Sequence, residues 1–180
     1  MPAIDPDAIV RQLNPAAPEL MAVEAGRDAL RQQKTHLVGG TGFAIETTLS
    51  GHTVLRLMEQ ARRRNFVVNL IFVGLYDADL NIVRVAARVA AGGHHVPDED
   101  VRRRYKWSME NLARAEALAD HAMVFDNSSD TGPLQVLTYG PGIFTLHMQK
   151  LPAWVETHLG ALLAGALTSA SGGGGQDGNG

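Results

Sequence analysis

Cysteine is absent from the sequence, which excludes a disulfide framework, a zinc–thiolate site and a cysteine nucleophile. Long apolar runs are missing too, since none approaches the roughly 18 residues of a membrane span. The N-terminal stretch MPAIDPDAIV has neither the basic region nor the apolar region of a signal peptide. A formal net charge of −3 and a pI of about 6.1 give no general case for nucleic acid or an anionic membrane as partner. These absences predict a soluble cytoplasmic protein.

What the sequence does contain is enough apolar material for one globular domain. Of its 180 residues, 45% are apolar and 19% are charged, which is typical of a chain that buries a sizeable core. The end of the chain differs, because SGGGGQDGNG follows Ala170 and cannot bury anything. We therefore expect one domain over residues 1–170 and a disordered glycine-rich tail over 171–180.

Helical and strand patterns alternate along the chain. The nearly continuous run FVVNLIFV at 66–73 predicts a strand that is buried on both faces, as in parallel sheets. The fold class is therefore α/β, with a mostly parallel sheet flanked by helices and with a C-terminal hairpin and helix. The expected helices cover about 7–13, 18–38, 53–64, 77–91, 97–119 and 152–167, and the expected strands about 43–46, 66–73, 122–125, 134–138 and 143–147.

Polar residues follow the apolar segments at the points where strands are expected to end. Asp7 comes shortly after Ile4, and Glu46, Thr47 and Thr48 come directly after Ile45. Ligands of open parallel sheets bind beyond the carboxyl ends of the strands, so Asp7 and Glu46 could project into one cleft. The alternative is local, with Asp5 or Asp7 capping a helix and Thr47 and Thr48 turning the chain.

A basic cluster surrounds a glycine-rich connection in the second half of the chain. Arg84 and Arg88 lie four residues apart and share a helical face, and Arg104 follows the Gly-Gly-His94-His95 loop. Guanidinium groups offer paired donors to phosphate, so the cluster suits a polyphosphate ligand. The alternative is a solvated basic face balanced by the acids at 98–100. Adjacent histidines such as His94 and His95 rarely chelate one metal ion, and no metal site is predicted.

These segments, in this order, resemble the zeta-toxin family of P-loop kinases, and in particular its bacterial branch often labelled predicted ABC-type ATPase. The resemblance covers residues 3 to about 150, and the combination of FAIETTLSG with GGHHVP and RRRY is its most specific part. The matching stretches are IDPDAIVRQLNP at 4–15, AGRDAL at 25–30, FAIETTLSG at 43–51, the segment from NLIFVG to RRRY at 69–105, NL at 111–112 and DNS at 126–128.

The resemblance implies an enzyme that transfers a phosphoryl group from ATP, with Mg²⁺, to a hydroxyl of a sugar nucleotide such as UDP-N-acetylglucosamine. It implies an antitoxin as a possible protein partner. In the family pattern Asp7 is the base that accepts the hydroxyl proton, and an ordinary carboxylate is ionised at neutral pH and needs no tuning for that task. In the same pattern Glu46, with Thr47 and Thr48, falls where the family contacts the sugar nucleotide.

The family's phosphate-contacting cations fall on the helices that follow the strand predicted at 66–73. Arg88 and Arg104 match the arginines that contact the phosphates, and Arg84 is a near neighbour. His94 stands where toxin members carry another cationic contact. Phosphoryl transfer depends on alignment and on neutralising the charge of the phosphoryl oxygens, which is what such cations supply.

The sequence departs from the family at one point, because no G-x-x-G-x-G-K-[ST] loop occurs in it. That P-loop would supply the amides and lysine that cradle the phosphates and the hydroxyl that holds Mg²⁺. The strand before it is central in related kinases, so its neighbours should face a gap. As written the chain is expected to be inactive, either because its gene start is assigned too late or because it is a catalytically dead remnant that still binds substrate.

Overall fold

The computed structural model of the protein describes residues 1–14, 18–93 and 95–171. Helices and strands alternate along these ranges. The strands are β1 (Ala3–Ile4), β2 (Ala44–Ile45), β3 (Asn69–Gly74), β4 (His121–Asp126), β5 (Leu134–Gly140) and β6 (Ile143–Leu146). The helices are α1 (Pro6–Leu13), α2 (Ala22–Gly39), α3 (His52–Arg63), α4 (Ala78–Ala90), α5 (Asp98–Leu118) and α6 (Ala153–Ser171), with a 3-10 turn at Pro18–Met21.

Helix α3 illustrates how the apolar spacing selects the elements. Leu55, Met58 and Ala61 recur at intervals of three residues and are the buried side chains of this helix. Arg62 and Arg63 occupy its last turn, where cations stabilise the negative end of the helix dipole. The helix therefore packs through one apolar stripe, as its sequence predicts.

The strands form two separate sheets, and the expectation of a mostly parallel sheet is only partly correct. β1 pairs with β2 in parallel, and β3 pairs with β4 in parallel. The remaining pairings, of β4 with β5 and of β5 with β6, are antiparallel, so the four-stranded sheet β3-β4-β5-β6 is mixed. The division falls between β2 and β3, which are not paired with each other.

The antiparallel pairing of β5 with β6 follows from a short turn. Gly140 pairs with Ile143, so only Pro141 and Gly142 connect β5 to β6. Two residues can join only antiparallel neighbours, because a parallel pair needs a long crossover. Gly142 has φ +73°, the positive value that a turn with proline before it requires. The hairpin predicted from the sequence is thus confirmed, and its turn accounts for the antiparallel pairing of β5 with β6.

Strand β3 is covered on one face, and the prediction that it is buried on both faces is wrong. Phe72 is 7% exposed and belongs to the main core, whereas its neighbours Ile71 and Val73 are 62% and 52% exposed. Side chains alternate between the faces of a strand, so the exposed pair lies on the opposite face from Phe72. No described helix covers that face enough to bury them. A continuous apolar run does not by itself reveal a one-sided strand.

Two clusters of buried residues hold the chain together. The main core lies between the four-stranded sheet and helices α3, α5 and α6, with Leu55, Leu112, Val124 and Leu159 almost fully buried. The smaller cluster contains Ile4, Ile9, Ala25 and Ala29 from β1, α1 and α2. The aromatic rings of Phe43 and Phe66 meet edge to face at 6.4 Å between their centroids, so the segments that enter β2 and β3 are neighbours.

The last helix, α6, begins at Ala153 and is kinked at Leu159, whose backbone is not helical. Ser171, the first residue of the predicted tail, still belongs to this helix, and residues 172–180 lie outside the described residues.

Across the described ranges, no helix has both the length and the apolar character needed to cross a membrane.

Candidate functional site

The parallel pair β1–β2 brings the first two predicted site segments side by side. Ile4 stands opposite Ile45 in the register, so the residues that follow β1 and β2 leave the sheet at the same edge. Asp7 lies in the first turn of α1 and Glu46 directly follows β2. The ends of β1 and β2 are therefore neighbours, and the prediction of a shared cleft depends on this arrangement. The side chain of Asp7 lies outside what the structure describes.

The loop between β2 and α3 exposes Glu46, Thr47 and Thr48 to solvent. Thr47 Oγ1 accepts a hydrogen bond of 3.1 Å from the backbone N–H of Leu49, and the hydroxyls of Thr48 and Ser50 are 2.8 Å apart. The carboxylate of Glu46 has no hydrogen bond or ion pair to the described residues and is open to a ligand. The threonine hydroxyls turn the loop, as the local alternative expected, and this role leaves them at the surface.

Leu49 anchors this loop in an unusual backbone conformation. Its φ is +56°, a left-handed value that non-glycine residues rarely adopt, and its side chain is only 3% exposed within the main core. The backbone carbonyl of Leu49 accepts a 2.9 Å hydrogen bond from the side-chain amide of Asn111 on α5. The exposed residues of the loop are thus held by the buried hydrogen bond between Asn111 and Leu49.

The ends of the parallel strands β3 and β4 are joined by a polar network. The backbone N–H of Asn127 donates to the carbonyl of Gly74 at 2.8 Å, which continues the strand pairing into the loops. Asp126 accepts hydrogen bonds from the hydroxyl of Ser128 at 2.6 Å and from the indole Nε1 of Trp154 at 2.9 Å. The hydroxyl of Ser128 in turn accepts from the backbone N–H of Tyr76 at 2.9 Å. The loops after β3 and β4 and the start of α6 are therefore linked through Ser128 and Asp126.

Helices α4 and α5 form a hairpin that is attached to this network. Asp77 caps α4 by accepting a 2.7 Å hydrogen bond from the backbone N–H of Leu80. The hydroxyl of Tyr105 on α5 donates to the carbonyl of Leu75 at 3.1 Å, and Arg102 pairs with Asp79 at 2.5 Å. Burial, and next the charge of Asp77, raises the pKa of Tyr105, so its hydroxyl remains a donor at neutral pH.

The predicted phosphate-contacting arginines differ in their surroundings. Arg84 donates to the backbone carbonyl of Ser129 at 2.9 Å, so it ties α4 to the loop after β4. Arg88 and Arg104 are exposed and have no hydrogen bond or ion pair to the residues that the structure describes. The first arginine is held structurally, and the other two are available to an anionic ligand. His94 lies outside the described residues.

The end of α4 brings the chain back tightly beside Arg88. The backbone N–H of Gly93 donates to the carbonyl of Arg88 at 2.9 Å. A Cβ atom on Gly93 would lie 2.8 Å from that carbonyl oxygen, which is too close for any residue but glycine. The glycine pair after α4 thus has a structural role in ending the helix.

The structure does not join the two halves of the predicted site. Among the described residues, no hydrogen bond or ion pair links Glu46, Thr47 or Thr48 to the arginines of α4 and α5. No group of three histidine, aspartate or glutamate side chains in the described ranges could hold a metal ion. Sequence reasoning missed Trp154 and the anchoring role of Asn111, although the DNS and NL stretches that carry Asp126 and Asn111 were part of the resemblance.

Comparison with known proteins supports the fold that these contacts build. No family model matches the chain. A Haemophilus influenzae protein described only as uncharacterized is 36% identical over 102 residues, which are 57% of this chain and 73% of that protein. A chain from the PezAT chromosomal toxin–antitoxin system of Streptococcus pneumoniae has a TM-score of 0.52 over 94% of this chain and 74% of its own, at 14% identity. The chain therefore belongs to the same family as the Haemophilus influenzae protein and has a zeta-toxin-like fold.

Proposed function

We propose that the protein is the substrate-side part of a kinase of the zeta-toxin type, which transfers a phosphoryl group from ATP to a hydroxyl of a sugar nucleotide such as UDP-N-acetylglucosamine. The zeta-toxin-like fold supports the reaction class. The loop after β2 supports the substrate side, because it presents the open carboxylate of Glu46 on a backbone fixed at Leu49. That anchored loop is the observation that carries the proposal.

Asp7 is the proposed base of the reaction. It follows β1 in the chain as Glu46 follows β2, and these strands are parallel neighbours. A carboxylate in this place would accept the proton of the sugar hydroxyl as the phosphoryl group arrives. Glu46 and the threonine hydroxyls would orient the sugar nucleotide, since carboxylates and hydroxyls accept hydrogen bonds from sugar hydroxyls.

ATP and Mg²⁺ fit the described residues only in part. Arg88 and Arg104 offer unpaired guanidinium groups for phosphate, which suits the nucleotide. No acidic cluster of the described residues suits Mg²⁺, and the sequence has no loop of the G-x-x-G-x-G-K-[ST] type. We therefore propose that the phosphate cradle and the metal ligands come from residues other than these, and that the chain by itself transfers no phosphate.

A substrate-binding module without catalysis is the second candidate, and the same lack of a phosphate-binding loop favours it. Both candidates predict that the chain binds the sugar nucleotide. Only the kinase predicts that an in-frame loop of the missing type is encoded directly upstream of Met1. A stop codon in that position would favour the module.

Binding of UDP-N-acetylglucosamine to the chain, measured by calorimetry, tests the substrate side. We expect Glu46→Gln to weaken binding about tenfold or more, because a charged acceptor of hydrogen bonds is lost. Glu99→Gln, on the exposed start of α5, is the matched control and should leave binding unchanged. Equal binding by both variants would contradict the role of Glu46.

The effect of ATP on the melting temperature of the chain tests the proposed division of the site. A ligand that binds the folded state raises the melting temperature. We expect no rise with ATP and Mg²⁺ for the chain alone. A clear rise would show that these residues suffice for ATP binding.

An antitoxin is the proposed protein partner, since the structural neighbour comes from a toxin–antitoxin system. The prediction is that expression of an active, extended form of the chain arrests growth and that the product of an adjacent gene relieves the arrest. Growth arrest without such relief would remove the antitoxin from the proposal.

A further inference from the structure

We infer that Asn111 is a positioning residue for the substrate loop, which is the connection of residues 46–51 between β2 and α3, and this inference rests on the proposed function of that loop. Asn111 is 6% exposed and is the one buried polar side chain within the part of the chain that the structure describes. It lies on α5 among the buried apolar residues Met109, Leu112 and Ala115. A polar side chain in such surroundings is stable only when it is hydrogen-bonded, and its partner is the carbonyl of Leu49.

The geometry of Leu49 shows what this contact does. Its side chain is buried, its N–H is bonded to Thr47 Oγ1 and its C=O is bonded to Asn111. Its φ of +56° is sparsely populated for leucine and persists only where the surroundings hold it. The reversal of the chain at this residue leaves Thr47 and Thr48 at the surface while Leu49 stays in the core.

Asn111 acts at a distance from any ligand. Because it is buried beneath the loop, it does not touch the proposed substrate itself. It lies 62 residues from Leu49 in the chain, so it couples the substrate loop to the middle of α5. The same helix carries Tyr105 and the unpaired Arg104, which places the support of the substrate loop and one of the proposed phosphate contacts on the same helix.

Hydrogen exchange of the chain, read by mass spectrometry, tests the inference without any substrate. Asn111→Leu keeps the branched shape of the side chain but replaces its amide by two bulkier methyl groups, and it leaves the Leu49 carbonyl buried without its donor. We expect the amides of residues 47–50 to exchange about tenfold faster or more than in the wild type, while those of β4 change much less. Val101→Ala, on a buried position of α5 outside the main core cluster, is the control for general loss of stability.

Two results would overturn the inference. One is unchanged exchange of residues 47–50 in Asn111→Leu. The other is an equally large acceleration of the same amides in Val101→Ala when the two variants are compared at the same interval below their melting temperatures. If Asn111→Leu does not fold, Asn111→Asp replaces it. A carboxyl group donates a hydrogen bond only when protonated, so protection of the loop in that variant should fall as the pH rises, whereas the wild type should not change. Protection independent of pH in Asn111→Asp would refute the role.

Binding of UDP-N-acetylglucosamine separates this inference from the proposed function. We expect Asn111→Leu to weaken binding about tenfold and Val101→Ala to leave it within about twofold. If the wild type binds no sugar nucleotide, the proposed function fails, and the exchange measurement still decides whether Asn111 holds the loop. If the wild type binds and Asn111→Leu binds equally well, the positioning role is wrong.

Discussion

Replacing Phe72 and Ile71 by alanine, one at a time, should cost the fold very different amounts of stability although the two residues are neighbours in β3. Phe72 is 7% exposed and its ring lies 5.9 Å from that of Trp154, between centroids. Truncating a buried phenylalanine removes its burial and leaves a cavity, so we expect a loss of about 3–5 kcal/mol. Ile71 is 62% exposed, and with little more than a third of its surface hidden its truncation should cost only about 1 kcal/mol.

Urea denaturation of both variants and of the wild type measures this difference. The midpoints and slopes should give a gap of about 2–4 kcal/mol in the free energy of unfolding between the two variants. Ile71→Ala should also leave the hydrodynamic size of the protein unchanged. Equal losses for the two substitutions would mean that another surface covers the Ile71 face in solution, and the one-sided packing of β3 would then be wrong.

Three further predictions concern single side chains. Burial, followed by the charge of Glu116, raises the pKa of Tyr139 from 10.0 to about 12, so stability present below pH 10 should fall as the pH rises through 12, and Tyr139→Phe should remove this part of the alkaline unfolding curve. Gly74→Ala should cost about 1–3 kcal/mol in thermal unfolding, because its Cβ would lie 2.5 Å from the indole ring of Trp154, whereas Gly26→Ala, with open space in α2, should stabilise the protein by about 0.5–1 kcal/mol. Arg104→Ala should leave the melting temperature within about 1 °C, since the side chain is exposed, and should raise the KM for ATP of an extended, active chain.

The sequence predicts the elements well where one local pattern decides them. The apolar spacing of α3, the glycine pair after α4 and the Pro141–Gly142 turn each specify a conformation within a few residues, and the structure has all three. The antiparallel pairing of β5 with β6 is also local in origin, because the short turn between them permits no other direction.

Features that depend on distant residues were not predictable in this way. The run 66–73 has the apolar content of a strand covered on both sides, and only the positions of the helices show that Ile71 is open. The hydrogen bond from Asn111 to the carbonyl of Leu49 spans 62 residues of sequence, and no local pattern near either residue predicts it. The assignments of Asp7 and His94 stay predictions, since the side chain of the first and the whole of the second lie outside the described residues.

The central claim is that this fold carries the substrate side of a phosphoryl-transfer site with Asp7 as its base. Its most direct test is the transfer of labelled phosphate from ATP to UDP-N-acetylglucosamine by a chain extended upstream to include the proposed phosphate-binding loop. We expect transfer by the extended wild type and a loss of about 100-fold or more in Asp7→Asn, as for removal of a general base. Asp98→Asn, an exposed acid at the start of α5, should transfer normally. Undiminished transfer by Asp7→Asn, or none by an extended wild type that binds ATP, would contradict the claim.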